Sequence, residues 1–149
     1  MATSLSVANT IIYNALKERK SMSPMKLQKL LYMLYACFIA KTKESLFSDR
    51  FEAWQYGPVL PNVYFEFKRF GSGNIIDLYT SGDGRAYYIP ESGIFGECFS
   101  KVWGKFKDYT GMQLSKITHE DEGAWRKKAL GEYLDDEDIM NDGKRWFAN

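Results

Sequence analysis

SPMKLQKLLYMLYACFIAK, residues 23–41, is the stretch on which the fold turns. Ser23 can accept from the free N–H groups of a first helical turn, and Pro24 suits the first helical position, so a helix starts here. Leu27, Leu30, Leu31, Leu34, Tyr35 and Phe38 share one stripe at helical spacing. From Leu30 onward almost every residue is apolar. A helix that is apolar all round must be surrounded, so this stretch is expected to be the central helix of the protein. Its most apolar part, Leu30 to Ala40, is only about half of the roughly 20 residues that span a bilayer.

The flanks supply what would surround it. Residues 6–20 place Ala8, Ile11, Ile12, Ala15 and Leu16 on one face, with Ser6 as N-cap and Lys17, Arg19 and Lys20 in the last turn. FEAWQYGPVLPNVYFEFKRFG, residues 51–71, carries seven aromatics in 21 residues around Gly57-Pro58 and Pro61. Residues 51–56 read as a short strand broken by Gly57-Pro58, and Pro61 opens a third helix that Gly71 ends. Residues 74–79 and 85–89 are strand-like with TSGDG turn chemistry between them, which predicts a small hairpin. Pro90 is expected to start a fourth helix with Phe99, Val102, Trp103 and Phe106 facing inward. Short helices near 112–117 and 124–130 follow. A last helix, capped by Asp135 or Asp136, carries Ile139, Trp146 and Phe147. The sum is a mainly α fold: a compact helical domain with one small inserted β-hairpin or short sheet, in a single domain over residues 1–149.

The totals agree with a soluble globular chain. It has 149 residues, 45% apolar, 26% charged and 16% aromatic, enough to bury a core without a metal or disulfide staple. A net charge of +1 gives no electrostatic case for a nucleic-acid or membrane partner. Cys37 and Cys98 lie on apolar stretches and read as buried reduced thiols. MATSLSVANT lacks a basic region followed by an apolar run, so no signal peptide is expected and the location is read as cytoplasmic.

Motifs for catalysis are sparse. His119 is the single histidine, beside Glu120, Asp121 and Glu122. A metal site would need ligands at His-x-x-x-His or Cys-x-x-Cys spacing, and a general base would need a partner and a pocket; neither pattern is present. A structural histidine in a turn and a partner contact remain. Gly71-Ser72-Gly73 and Gly82-Asp83-Gly84 read as turns, not phosphate cradles, and there is no Gly-x-Ser-x-Gly elbow. Lys26 and Lys29 could suggest a DNA-reading helix, but the remainder of that helix is too apolar to lie in a groove. The expectation is therefore no enzyme, no cofactor, no metal and no nucleic acid. Around Gly57-Pro58 and Pro61, the rigid aromatics Trp54, Tyr56, Tyr64 and Phe65 suit an interaction surface. They equally suit a corner folded onto the core. The corner is expected to divide, with Trp54 and Pro58 buried and Tyr56 or Tyr64 at its edge.

KLQKLLY at 26–32, the corner at 51–71 and LSKITHEDEGAW at 114–125 occur together in this order. The combination resembles the Panacea domain, the family of SocA-like antitoxins and phage-associated proteins. The AW-x-YGPV-x-P-x-VY motif is the most specific part of the match. The resemblance implies a mainly helical protein-binding domain, not an enzyme. Its expected partner is a toxin encoded by an adjacent gene, neutralised by direct binding. In an adaptor variant the domain delivers its partner to a cytoplasmic protease or unfoldase, and relatives also occur in prophages. Carried onto this chain, the motif points to Trp54, Tyr56, Pro58, Tyr64, His119 and Trp125 as partner-binding residues. Leu27, Leu30 and Tyr32 are assigned to the core. The chain departs from the family pattern at Met33-Leu34-Tyr35, where a small residue and Gln are usual, and at Ala124, where Pro is common.

Overall fold

The computed structural model describes residues 2–147. Helix α2, Pro24–Thr42, is its axis. Ser23 accepts the Lys26 N–H as N-cap, and Lys43 ends the helix in the left-handed conformation (φ 62°). Every residue from Lys26 to Cys37 is buried, as expected for a surrounded helix. Fully burying side chains such as Leu27, Leu30 and Leu31 stabilises the fold by roughly 1.5–3 kcal/mol each.

Helices α1 (Ser4–Glu18), α3 (Pro61–Phe67), α4 (Gly93–Phe106), α5 (Gly111–Thr118) and α6 (Asp136–Phe147) pack about that axis. α6 lies closest: a Cβ on Gly143 would overlap the Ala36 carbonyl, so the glycine sets the approach of the two helices. Phe95, Phe99 and Trp103 stack in a row along the inner face of α4. Cys37 and Cys98 are buried free thiols, as expected. No helix among the described residues is long and apolar enough to cross a membrane.

The fold class is the expected one, mainly α with a minor β element, but the β element lies elsewhere. Strands β1 (Glu52–Trp54) and β2 (Gly57–Val59) form an antiparallel hairpin before α3, inside the aromatic corner. The hairpin predicted over 74–89 is absent. That segment is extended and turns at Ser81–Arg85, but its polar backbone is satisfied by side chains of α1 instead of a ladder. Asn9 donates to the Tyr79 and Tyr87 carbonyls and accepts the Tyr79 N–H. Thr10 exchanges hydrogen bonds with Ile89 in both directions. Buried polar residues on a helix thus take the place of a neighbouring strand.

Helix ends shift for local reasons. α1 starts at Ser4 because Thr3 is its N-cap; Ser6 is the reciprocal member of the capping box. α4 starts at Gly93, three residues after Pro90. The predicted 124–130 helix shrinks to a single 3₁₀ turn, Trp125–Lys127. α3 runs on into a 3₁₀ turn at Lys68–Phe70, which Gly71 ends at φ 56°.

Candidate functional site

The β-hairpin is fixed along both edges. On one side Ala53 N–H donates to the Glu132 carbonyl (2.8 Å) and Gly131 N–H to the Ala53 carbonyl (2.7 Å). On the other side two residues of α2 do the work of a strand. Gln28 donates to the Leu60 carbonyl (3.0 Å) and accepts the Leu60 N–H (2.8 Å). Lys29 Nζ donates to the Pro58 carbonyl (3.1 Å). Among the described residues both edges of the hairpin are thus hydrogen-bonded within the fold.

Gly57 is where backbone and buried side chains meet. Its φ is +119°, and a Cβ there would sit 2.6 Å from Thr118 Oγ1 and 3.0 Å from Lys29 Cε. Only glycine accepts both the conformation and the approach. The Ser115 hydroxyl donates to the Tyr56 carbonyl, so α5 also holds the turn.

On this frame the aromatics divide. Trp54 is half-buried, not buried as expected, because its indole lies against Tyr64 (5.0 Å) with its N–H on Glu52 (3.0 Å), which leaves one face open. Pro58 is buried. Tyr56, Tyr64 and Phe65 are 48%, 36% and 61% exposed. Trp54, Tyr56 and Tyr64 wall a cavity of about 330 Å³, together with Met25 and Val59. Its buried lining includes Gln28 and Lys29.

His119 and Trp125 do not line that cavity. They stack on each other at 3.9 Å, and Trp125 reaches the corner by donating its indole N–H to the Trp54 carbonyl (2.7 Å). His119 caps α5, and its Nε2 is buried without a hydrogen-bond partner. Burial, then the Arg126 and Lys29 charges, hold its imidazole below the usual histidine range. The lowered imidazole favours its neutral form, and among the described residues no carboxylate is hydrogen-bonded to it.

Lys29 is the buried residue of the cavity to which the motif assigned no contact. It is 1% exposed, and burial alone pulls its amine down to about 7. The signal was available: a lysine inside a helix whose neighbours are otherwise built for the core. Lys26 is also buried, but carbonyls of Ser21 and Lys107 both accept from its ammonium.

One turn along α2 from Lys29, the Tyr32 hydroxyl donates to buried Asp142 (2.6 Å). Asp142 also accepts from Arg145 (2.8 Å) and from the Ala124 N–H (3.3 Å). Arg145 pairs further with Glu120 and Glu122. Burial, then Asp142, pushes the Tyr32 phenol well above its ordinary range. This cluster ties α6 and the His119–Trp125 segment to the central helix.

The comparisons with known proteins meet this geometry at the same residues. The model of the "Antitoxin SocA-like, Panacea domain" family matches residues 27–126, from the buried start of α2 to the Trp125 turn. The chain belongs to the SocA-like antitoxin family. Antitoxin SocA of Caulobacter vibrioides is 30% identical over 130 residues, covering 84% of this chain and 69% of that protein. No solved structure matches. In this SocA-like chain the AW-x-YGPV motif is the hairpin itself, and the KLQK motif supplies the α2 side chains that hold it.

Proposed function

We propose that this protein is an antitoxin that binds its cognate toxin directly, in the cytoplasm, and neutralises it without catalysing a reaction. The exposed rings of Tyr56, Tyr64 and Phe65, set on a corner with both edges fixed, carry this reading. Aromatic side chains on a rigid support supply large contact area at small entropic cost. The relative's name, Antitoxin SocA, supports the antitoxin role. Trp54, Tyr56 and Tyr64 are proposed to touch the partner, and Pro58, His119 and Trp125 to hold the surface from behind.

Co-expression with the product of each adjacent gene tests the reading, scored by growth and by co-purification. A toxic neighbour that is rescued and retained supports it. Harmless neighbours, or a toxin that is rescued without being bound, would remove direct neutralisation. The toxin's half-life then separates simple sequestration, which leaves it unchanged or longer, from delivery to a protease, which shortens it.

A further inference from the structure

We propose, building on the binding reading above, that the cavity beside Tyr56 and Tyr64 receives a carboxylate of the partner protein: a glutamate or aspartate side chain next to an apolar residue, with Lys29 Nζ as counter-charge and Trp54 and the two tyrosines as apolar walls. The argument starts from donors. An ammonium carries three N–H groups, and Lys29 spends one, on the Pro58 carbonyl. Of the other buried polar groups near it, the His119 Nε2 is unpartnered and the remainder are engaged. Gln28 uses its oxygen and its nitrogen on Leu60, and the Ser115 and Thr118 hydroxyls donate to backbone carbonyls. Gln28 keeps one amide N–H, and Lys29 is the one buried cation of the cavity with bonds still to make among the described residues.

Charge points the same way. None of the cavity's lining residues is acidic. The titratable groups that face Lys29 from the packed elements are His119 at the end of α5 and the phenols of Tyr56 and Tyr64, with Lys26 one turn back on its own helix. Glu52, on β1, has its carboxylate on the Trp54 indole. Nothing in the fold compensates the cation, and burial disfavours it. A buried ionisable group beside a cavity, with one carbonyl and no counter-charge, points to a binding site. One ammonium between aromatic walls suits a carboxylate; a phosphate would call for several donors. The volume, about 330 Å³, is at the small end of ligand sites and takes an acidic side chain with one apolar neighbour.

The test uses the isolated protein and two capped dipeptides, acetyl-Leu-Glu-methylamide and its glutamine counterpart, at millimolar concentration. Binding is followed by NMR at the Trp54 indole N–H and at the Lys29 Cε protons across a pH series. The glutamate peptide is expected to bind about tenfold more tightly than the glutamine peptide and to move the Lys29 titration upward. Lys29→Met should bind the two peptides equally. Equal binding to the wild-type protein, an unmoved Lys29 titration, or no response at Trp54 to either peptide overturns the proposal. The wild-type titration needs no variant, so a misfolded Lys29→Met leaves the test intact. If toxin rescue holds while these measurements fail, the carboxylate is removed and the antitoxin reading stands. If no toxin is found, the peptides still decide the cavity.

Discussion

Two buried charged groups meet the central helix one turn apart, Lys29 on the helix itself and Asp142 of α6 against Tyr32, and they are treated differently. Asp142 sits against Tyr32 with every oxygen engaged: a hydroxyl, a guanidinium and a backbone N–H all donate to it. Lys29 has a single carbonyl. A buried charge that the fold satisfies belongs to the fold, because removing either partner strands the other. A buried charge that the fold leaves short is a standing cost, tolerated where a partner completes it. On the proposed reading, the difference separates the Tyr32–Asp142–Arg145 cluster, which serves the architecture, from the Lys29 cavity, which serves recognition.

The largest effect expected from this contrast is a pH dependence. Burial lowers the folded amine of Lys29 from 10.5 to about 7, so between those values the unfolded chain binds more protons than the folded one. Stability then rises with pH from about 7 to about 10, by up to about 5 kcal/mol, and the penalty is fully present below 7. Above about pH 10 the gain is opposed, because the Tyr32 and Tyr35 phenols are raised in the fold and lose their contribution as the unfolded tyrosines ionise. Urea denaturation at steps across this window should show the rise in the wild-type protein and a much smaller one in Lys29→Met, where Lys26, also lowered by burial, remains. A Lys29→Met curve that rises as steeply as the wild type would assign the effect to another group. Next in size, Asp142→Ala strands the buried Tyr32 hydroxyl and the Ala124 N–H, while Arg145 keeps Glu120 and Glu122. A loss of about 3–5 kcal/mol in the same assay is expected. A loss under about 1 kcal/mol would erase the contrast between the two sites.

How much of this was legible in the sequence follows from which interactions are local. Helix α2 was, because its apolar run and its Ser23-Pro24 start are contained in one stretch. The corner was legible as an aromatic turn, since Gly57-Pro58 and Pro61 mark it. That β1 and β2 pair there, while the equally strand-like 74–89 segment does not, was hidden. The decision rests on Asn9 and Thr10, about 70 to 80 residues away in the chain, whose side chains satisfy that backbone first. The role of Lys29 was hidden for a similar reason. A lysine in KLQK reads as solvated until the hairpin is laid over it, and only the fold shows that among the described residues a single carbonyl accepts from it. The six motif residues separate likewise by contact alone: Trp54, Tyr56 and Tyr64 meet at the cavity, while Pro58, His119 and Trp125 lie beneath or beside it.

Smaller effects refine the recognition side. Gly57→Ala forces a side chain into a left-handed backbone and against Thr118 and Lys29, and a loss of about 2–3 kcal/mol is expected by chemical denaturation. Tyr56→Ala is the reverse case. The ring is 48% exposed, and the structural bond at this residue is made by its carbonyl, which accepts from Ser115 and survives the substitution. Stability should therefore change by no more than about 1 kcal/mol. Binding should suffer more, because the phenol is part of the cavity rim and a central aromatic at an interface often costs 2 kcal/mol or more when removed, about thirtyfold in Kd. The decisive measurement is the pair: the denaturation midpoint of Tyr56→Ala beside its ability to retain the toxin in co-purification. A normal midpoint with a lost toxin places the interface at the hairpin turn. A normal midpoint with full retention moves the interface away from the cavity, and with it the reason for leaving Lys29 unpaired.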